Sequence, residues 1–518
     1  MTNVPVSLFA PPRITAGAAD QPGLMLLRSA EPLGEYPVTV LHSVRERARL
    51  APDRPMVAER TAEGWRTVGY GEAVAAADAI GQALLDRGLG PDRPLLILSG
   101  NSVDHLLVAL GAMTAGVPVA PVSVAYSLAS HDHARIRAIA DLIAPGAVFA
   151  EDAGGFGPAL DALPAIPAIV SRGPRPGADR LSTLLDRAPG ATASSALAAA
   201  FAGLRPDGIA KILFTSGSTG TPKGVLNTHR MLSSNQQMIR QAWPFLAEEP
   251  PVIVDWLPWS HTFGGNHMTP GYFARPDLTL AAFDEEGFYR AGDAVGFAEP
   301  GDPNAGLVFR GRIAEDFKLE TGTFVRVGAV RTALLSAVPV LSDVVLTGEN
   351  RDSVCALAWL NAAEARRLLG EEPEPDGDLI VGDSLRELLA RALADHNDAS
   401  GSSARIARLL VMARPASLDA GEITDKGYVN QRKVLVRRAA LVELLYADPP
   451  PPCVIVAGVL PACPDKSGGL ARVPVLNAAS KDAEGGSKSN RRRNSSDAGA
   501  PASRSMPASS HSTEIGPA

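Results

Sequence analysis

The chain has 518 residues, 46% of them hydrophobic, and a formal net charge of −7. That length suits two to four domains, and an acidic balance spread along the chain argues against nucleic acid or an anionic membrane as the main partner. No uncharged apolar stretch reaches the roughly 20 residues a bilayer needs, the start lacks a basic segment followed by an apolar one, and Cys355, Cys453 and Cys463 form no metal or disulfide pattern, so a cytoplasmic protein without a membrane span is expected.

Residues 1–37 are rich in Pro and Gly and read as an extended arm. From Val38 to about Leu204, helical and strand-like segments alternate. "LHSVRERARLAP", "GEAVAAADAIGQALLDRGL" and "DHLLVALGAMTAG" carry helical apolar spacing. "RPLLILSGN" and "GVPVAPVS" are short apolar runs closed by turn residues, as buried parallel strands are. The alternation predicts a layered α/β domain. A second α/β stretch runs from about Leu307 to Tyr446, with strand-like "LVFRGRI", "TFVRVG" and "CALAWL" and helices at "DSLRELLARALADHN" and "VLVRRAALVELLY". Past Asp448 the composition turns to Pro, Ser, Ala and Gly with few apolar residues, which predicts a disordered tail over 449–518. Its basic run Arg491–Arg493 reads as a solvated segment. No internal repeat is visible, and nothing indicates an oligomeric state.

"ILFTSGSTGTPKGV", Ile212–Val225, is an apolar strand entering a loop of Ser, Thr and Gly that ends in a lysine. Glycines permit close backbone approach, and amides and hydroxyls can then wrap anionic oxygens while Lys223 adds a point charge. Only 8 of the 49 basic residues are lysines, so a lysine retained here carries more information than usual. The Walker pattern needs Gly-Lys-Ser/Thr, and here Lys223 lies between Pro222 and Gly224, so this is a different phosphate loop.

The stretch resembles the phosphate-binding signature of the adenylate-forming superfamily: acyl-CoA synthetases, luciferases and peptide-synthetase adenylation domains. Further stretches match in order. "LGAMTAGVPVAPVSVAYS" resembles the helix–strand region before the loop, and "FYRAGD", Phe288–Asp293, the segment whose aspartate holds the ribose. "GRIAEDFKLETGTFV" from Gly311 resembles the hinge to the small C-terminal domain, and "GEITDKGYVNQR" from Gly421 the late lysine motif. "WLPWSHTFGGNH" and "EDFKLETGTFVRVGAVR" look closest to feruloyl-CoA synthases. The resemblance covers about residues 35–448. It implies a large multilayer AMP-binding domain at 38–311 and a small α+β C-terminal domain at 312–448.

The implied reaction has two halves. A carboxylate attacks the α-phosphorus of ATP, giving an acyl-adenylate and pyrophosphate; the thiol of coenzyme A then attacks the acyl carbon and releases AMP. Charge builds on phosphate oxygens in the first half, where fixed donors and cations are needed. By the resemblance, Thr215, Ser216, Gly217, Ser218, Thr219, Gly220, Thr221 and Lys223 hold the phosphates, with Mg²⁺ as the family's metal. Asp293 and Arg312 bind ribose. Lys426 bridges the carboxylate and the α-phosphate; taken alone it would read as a surface lysine in a turn. Trp259, His261, Phe263 and Gly264 line the acid pocket, and a histidine among aromatic rings suits a flat aromatic acid. Core hydrogen bonding is the other reading of His261.

One feature departs from the family. "LPWSHTFGGNHMTPGYFARPDLT", Leu257–Thr279, joins two motifs that a long stretch separates in relatives. That stretch carries most of a second subdomain and a glycine-rich segment ending in Thr-Glu, which stacks on adenine and helps hold Mg²⁺. Neither "RTAEGW" from Arg60 nor "STEIG" from Ser512 has the glycine-rich entry. A block is missing between Met268 and Thr269, through a gene-model error or in a degenerate paralogue. Its loss should leave unpaired strand edges and bare apolar faces. The expectation is an aryl-acid–CoA ligase by ancestry whose competence as this chain is in question. The alternatives are an inactive remnant that binds phosphate or nucleotide weakly or docks to an intact relative, and a ligase for another carboxylic acid.

Overall fold

A computed structural model describes residues 9–18, 25–186, 195–216, 222–248, 251–255, 257–261, 269–370, 373–425 and 427–459, apart from the side chains of Ser216 and Arg310. The described residues all belong to one unit, Met1–Pro464. At its start, β1 (Ile14–Ala18) pairs antiparallel with β2 (Met25–Ser29). The expected extended arm is therefore in part a hairpin, and pairing satisfies backbone groups that an isolated arm would leave to water. The Asn304 side chain accepts from the Ile14 N–H at 2.7 Å, tying β1 to a later strand.

After a second hairpin, β3 (Pro55–Thr61) with β4 (Gly64–Gly69), comes the main sheet. Its strands are β5 (Leu95–Leu98), β6 (Val119–Val122), β7 (Ala147–Asp152), β8 (Ala168–Arg172), β9 (Asp179–Arg180), β10 (Ile209–Ser216) and β11 (Pro222–Thr228). The order is β11-β10-β6-β5-β7-β8-β9, parallel except for β11, which runs antiparallel to β10. All four residues of β5 are buried. Leu95 and Ile97 join a core with helices Tyr70–Asp86 and Val103–Thr114, while Leu96 and Leu98 face helix Ala134–Ile143. Burial on both faces explains why these strands read as continuous apolar runs without alternation. Helix Val103–Thr114 starts where the sequence allows: Ser102 caps it, its hydroxyl accepting from the His105 N–H at 3.1 Å.

β12 (Asp293–Glu299) and β13 (Asp302–Arg312) form a long hairpin that leads to the C-terminal region. There β14 (Phe317–Lys318) pairs with β15 (Phe324–Val325), β16 (Leu341–Thr347) and β17 (Val354–Leu360) form a sheet, and β18 (Pro375–Asp376) pairs with β19 (Leu379–Ile380). β20 (Ile406–Val411) and β21 (Ile455–Val456) complete the sheet in the order β16-β17-β20-β21. Helices Val327–Ala337 and Asp383–Asp398 cover one face, and Gln431–Arg437 with Ala439–Tyr446 the other.

Three sequence expectations change here. "TFVRVG" keeps only Phe324–Val325 as strand, because the Asp316 carboxylate accepts from the Val327 N–H at 2.9 Å at the start of a helix. "VLVRRAALVELLY" divides into two helices at Arg438, whose guanidinium turns to the buried Glu422. The tail expected from 449 is structured at its start: Ile455 pairs with Leu409 and Val456 with Arg408, and Ile455 is buried. A β-branched pair can close a sheet edge even inside a proline-rich stretch.

Candidate functional site

The antiparallel hairpin of β10 and β11 frames the loop in which the sequence suggests a phosphate cradle. Ile212, Leu213 and Phe214 bury the entering strand in the core. Thr215 then faces Lys223, and Ser216 faces Pro222, across the hairpin. Gly217, Ser218, Thr219, Gly220 and Thr221 lie outside the described residues. Gly224 needs to be glycine, since a Cβ there would come within 2.9 Å of Ile212 Cγ2. The Lys223 ammonium sits 5.6 Å from the centre of the Tyr272 ring, a cation–π contact that holds the charge beside the loop.

The segment after the junction lies along β11. The Thr269 hydroxyl donates to Leu226 O at 2.7 Å, Leu226 N–H to Gly271 O at 3.1 Å, and Phe273 N–H to Gly224 O at 2.7 Å. Gly271 has φ of +143°, and a Cβ there would meet Thr279 at 2.5 Å. The Tyr272 and Tyr289 hydroxyls hydrogen-bond at 3.0 Å, so "TPGY" is tied to "FYRAGD". Burial, then the Tyr289 hydroxyl, pushes the Tyr272 pKa up to about 12.

Asp293 opens β12 directly after Gly292, and its register partner on β13 is Arg312. The hairpin thus brings together the two residues assigned to ribose, and both are exposed. Lys426, Phe263 and Gly264 lie outside the described residues.

The segment before the junction docks elsewhere. The Asn101 side chain donates to Leu257 O at 2.7 Å and accepts from Trp259 N–H at 3.0 Å, as a strand partner would. The Trp259 indole donates to Asp255 at 2.6 Å, and its ring meets His105 edge-on at 5.2 Å. His261 is half-buried, and its backbone N–H donates to Pro258 O at 3.0 Å. Burial drives the His105 pKa down to about 4, with the Lys211 charge acting in the same direction and the hydrogen bond to Gly100 O opposing it. Asn101, His105, Tyr272 and Tyr289 were missed as site residues in the sequence. Asn101 had a signal: it follows a parallel strand at its carboxyl end, where α/β sheets bind ligands.

Val252, Ile253 and Val254 are 96%, 77% and 87% exposed and belong to no strand. On the β12–β13 hairpin, Val295 faces Phe309 and Phe297 faces Leu307, an apolar face on which Val295, Leu307 and Phe309 are exposed. Among the described residues no group of three or more His, Cys, Asp or Glu could hold a metal ion, and no helix is long and apolar enough to cross a membrane.

Residues 44–281 match the AMP-binding enzyme family. This supports the adenylate-forming superfamily for the chain. A medium-chain-fatty-acid–[acyl-carrier-protein] ligase of Teredinibacter turnerae is 43% identical over 79 residues, 15% of this chain. The match spans only 12% of that relative's own length. The adenylation domain of a carboxylate reductase from Mycobacterium chelonae has the same fold, with a TM-score of 0.56 at 16% identity over 83% of this chain and 92% of that one. That of a carboxylic acid reductase from Segniliparus rugosus, solved with AMP and a co-purified carboxylic acid, gives 0.55 at 14% identity over 79% and 94%. The chain is thus a mixed α/β protein with the architecture of adenylation domains.

Proposed function

We propose that the chain is built for ATP-dependent activation of a carboxylic acid, with an aromatic acid of the ferulate type as substrate and coenzyme A as acyl acceptor. The observation that carries this reading is the β10–β11 hairpin, a buried strand entering a Ser/Thr/Gly loop with Lys223 fixed on the returning strand. In this reading the acid's carboxylate oxygen forms a bond to the α-phosphorus, the bond to pyrophosphate breaks, and the 215–223 loop takes up the charge of the leaving group. Asp293 accepts from the ribose hydroxyls, with Arg312 opposite it. Lys426 bridges the two reacting anions. Trp259 and His261 form one wall of the acid pocket on the Asn101 anchor, with Phe263 and Gly264 following in the chain. Mg²⁺ enters only as the companion of the nucleotide's phosphates.

A second reading has its own observation. The exposed Val252–Val254 segment and the apolar β12–β13 face, with Val295, Leu307 and Phe309 exposed, favour a chain that binds nucleotide without turning over. ATP–pyrophosphate exchange on the purified, monodisperse chain, with ferulate and a panel of medium-chain fatty acids, separates the cases. Exchange that needs ferulate and disappears in Lys426→Ala supports the aryl-acid ligase. Exchange driven only by fatty acids replaces the aromatic substrate. Nucleotide binding without exchange from a folded chain supports the second reading.

A further inference from the structure

The stretches on either side of Lys426 pair with each other, from a base in the small domain. Ile423 and Val429 pair antiparallel, Thr424 N–H donates to Tyr428 O at 2.8 Å, and Asn430 N–H to Glu422 O at 2.8 Å. The Glu422 carboxylate locks that base, accepting from Arg438 Nε and Nη2 at 2.9 and 2.8 Å and from Ser417 N–H at 2.9 Å. These stretches and the chain before them reach the large domain. The Asp419 carboxylate accepts from the Ser130 hydroxyl at 2.6 Å and from His131 N–H at 3.2 Å. The Tyr126 hydroxyl donates to Asp425, the residue before Lys426, at 3.1 Å. Arg135 lies over the Tyr126 ring at 5.1 Å and donates to its hydroxyl at 3.3 Å. Leu418 packs against the large-domain core that includes Ile136 and Ile139. The receiving turn is specialised: Ser130 also accepts from His133 N–H at 3.1 Å, and His133 holds a left-handed backbone, φ 49°, without being glycine.

We propose that Tyr126, Ser130 and Asp419 are positioning residues that clamp the 417–430 hairpin onto the large domain and so set where Lys426 is presented. This rests on the reading of Lys426 as the adenylating lysine. The clamp joins two carboxylates of one domain to hydroxyl and amide donors of the other.

Hydrogen–deuterium exchange on the full chain tests the clamp without relying on activity. A charged hydrogen bond is worth about 1.5–3 kcal/mol, so Asp419→Ala should lower amide protection in 417–431 by about tenfold or more. Protection of β16 and β17 should not change. Asp419→Asn keeps an acceptor for Ser130 and should restore much of the protection. Unchanged protection in a folded Asp419→Ala chain overturns the clamp. Tyr126→Phe keeps the ring and removes only the hydroxyl. In acid-dependent pyrophosphate exchange it should lower kcat about tenfold with the KM for ATP unchanged, and equal kcat would overturn the link to Lys426. If the wild-type chain shows no exchange, the ligase reading fails, while the exchange-protection arm still decides the clamp.

Discussion

The chain on either side of the Met268–Thr269 junction is held in opposite ways. After it, Thr269–Phe273 lies along β11, hydrogen-bonded at Leu226 and Gly224 and pinned by Tyr272 to Tyr289. Before it, Leu257–Trp259 is held by the Asn101 side chain and by the Trp259 ring against His105, and Val252–Val254 extends with its apolar side chains exposed. Backbone pairing along a sheet edge needs only the edge, which β11 provides. A β-branched run needs a sheet and a covering layer, and among the described residues neither lies around Val252–Val254. The chain after the junction therefore rests on a paired frame, and the described residues before it do not.

The largest effect should come from breaking the paired side. Gly271→Ala forces a Cβ to within 2.5 Å of Thr279 at φ +143°. Strain and overpacking together should cost about 3 kcal/mol, read as a lower urea midpoint with unchanged slope. Acid should weaken the same side. Burial, with the charge of His42, holds the buried His229 at a pKa of about 4, below the ordinary 6.5. The unfolded chain therefore takes up a proton there that the folded chain refuses. Stability is full above about pH 6.5 and falls as pH drops towards 4, by at most about 1.4 kcal/mol per pH unit for this group. His229→Gln should flatten that slope, as measured by denaturant midpoints across the window; an unchanged slope assigns it to other groups.

A smaller effect tests the tie between "TPGY" and "FYRAGD". Tyr289→Phe removes a hydroxyl that meets Tyr272 at 3.0 Å and should cost about 1 kcal/mol in the same assay. The smallest change is on the other side. Ile253→Ser should alter stability by less than about 0.5 kcal/mol, because the residue makes no buried contact. It should nevertheless reduce dye binding and self-association, measured by fluorescence and light scattering. A cost comparable to Gly271→Ala would mean that the segment is packed in solution and would erase the contrast between the two sides.

Much of this architecture was legible in the residues. Apolar runs ended by turn residues at "RPLLILSGN" and "GVPVAPVS" are central strands of the main sheet. The loop's hydroxyls, glycines and lysine suggested a phosphate cradle before any strand was located. Local patterns of this kind depend on neighbours in sequence, so the sequence alone determines them.

Other features depended on residues far apart in the chain. Nothing local to "VLVRRAALVELLY" stops a helix at Arg438; the buried Glu422 does. Nothing in "PPCVIVAG" announces a strand until β20 offers it an edge. Asp293 and Arg312 become neighbours only through the register of β12 and β13, and Asn101 meets Trp259 across 158 residues. Pairing register, burial of charge and the covering of apolar faces are settled by what the rest of the chain brings alongside, and only the tertiary structure decides them.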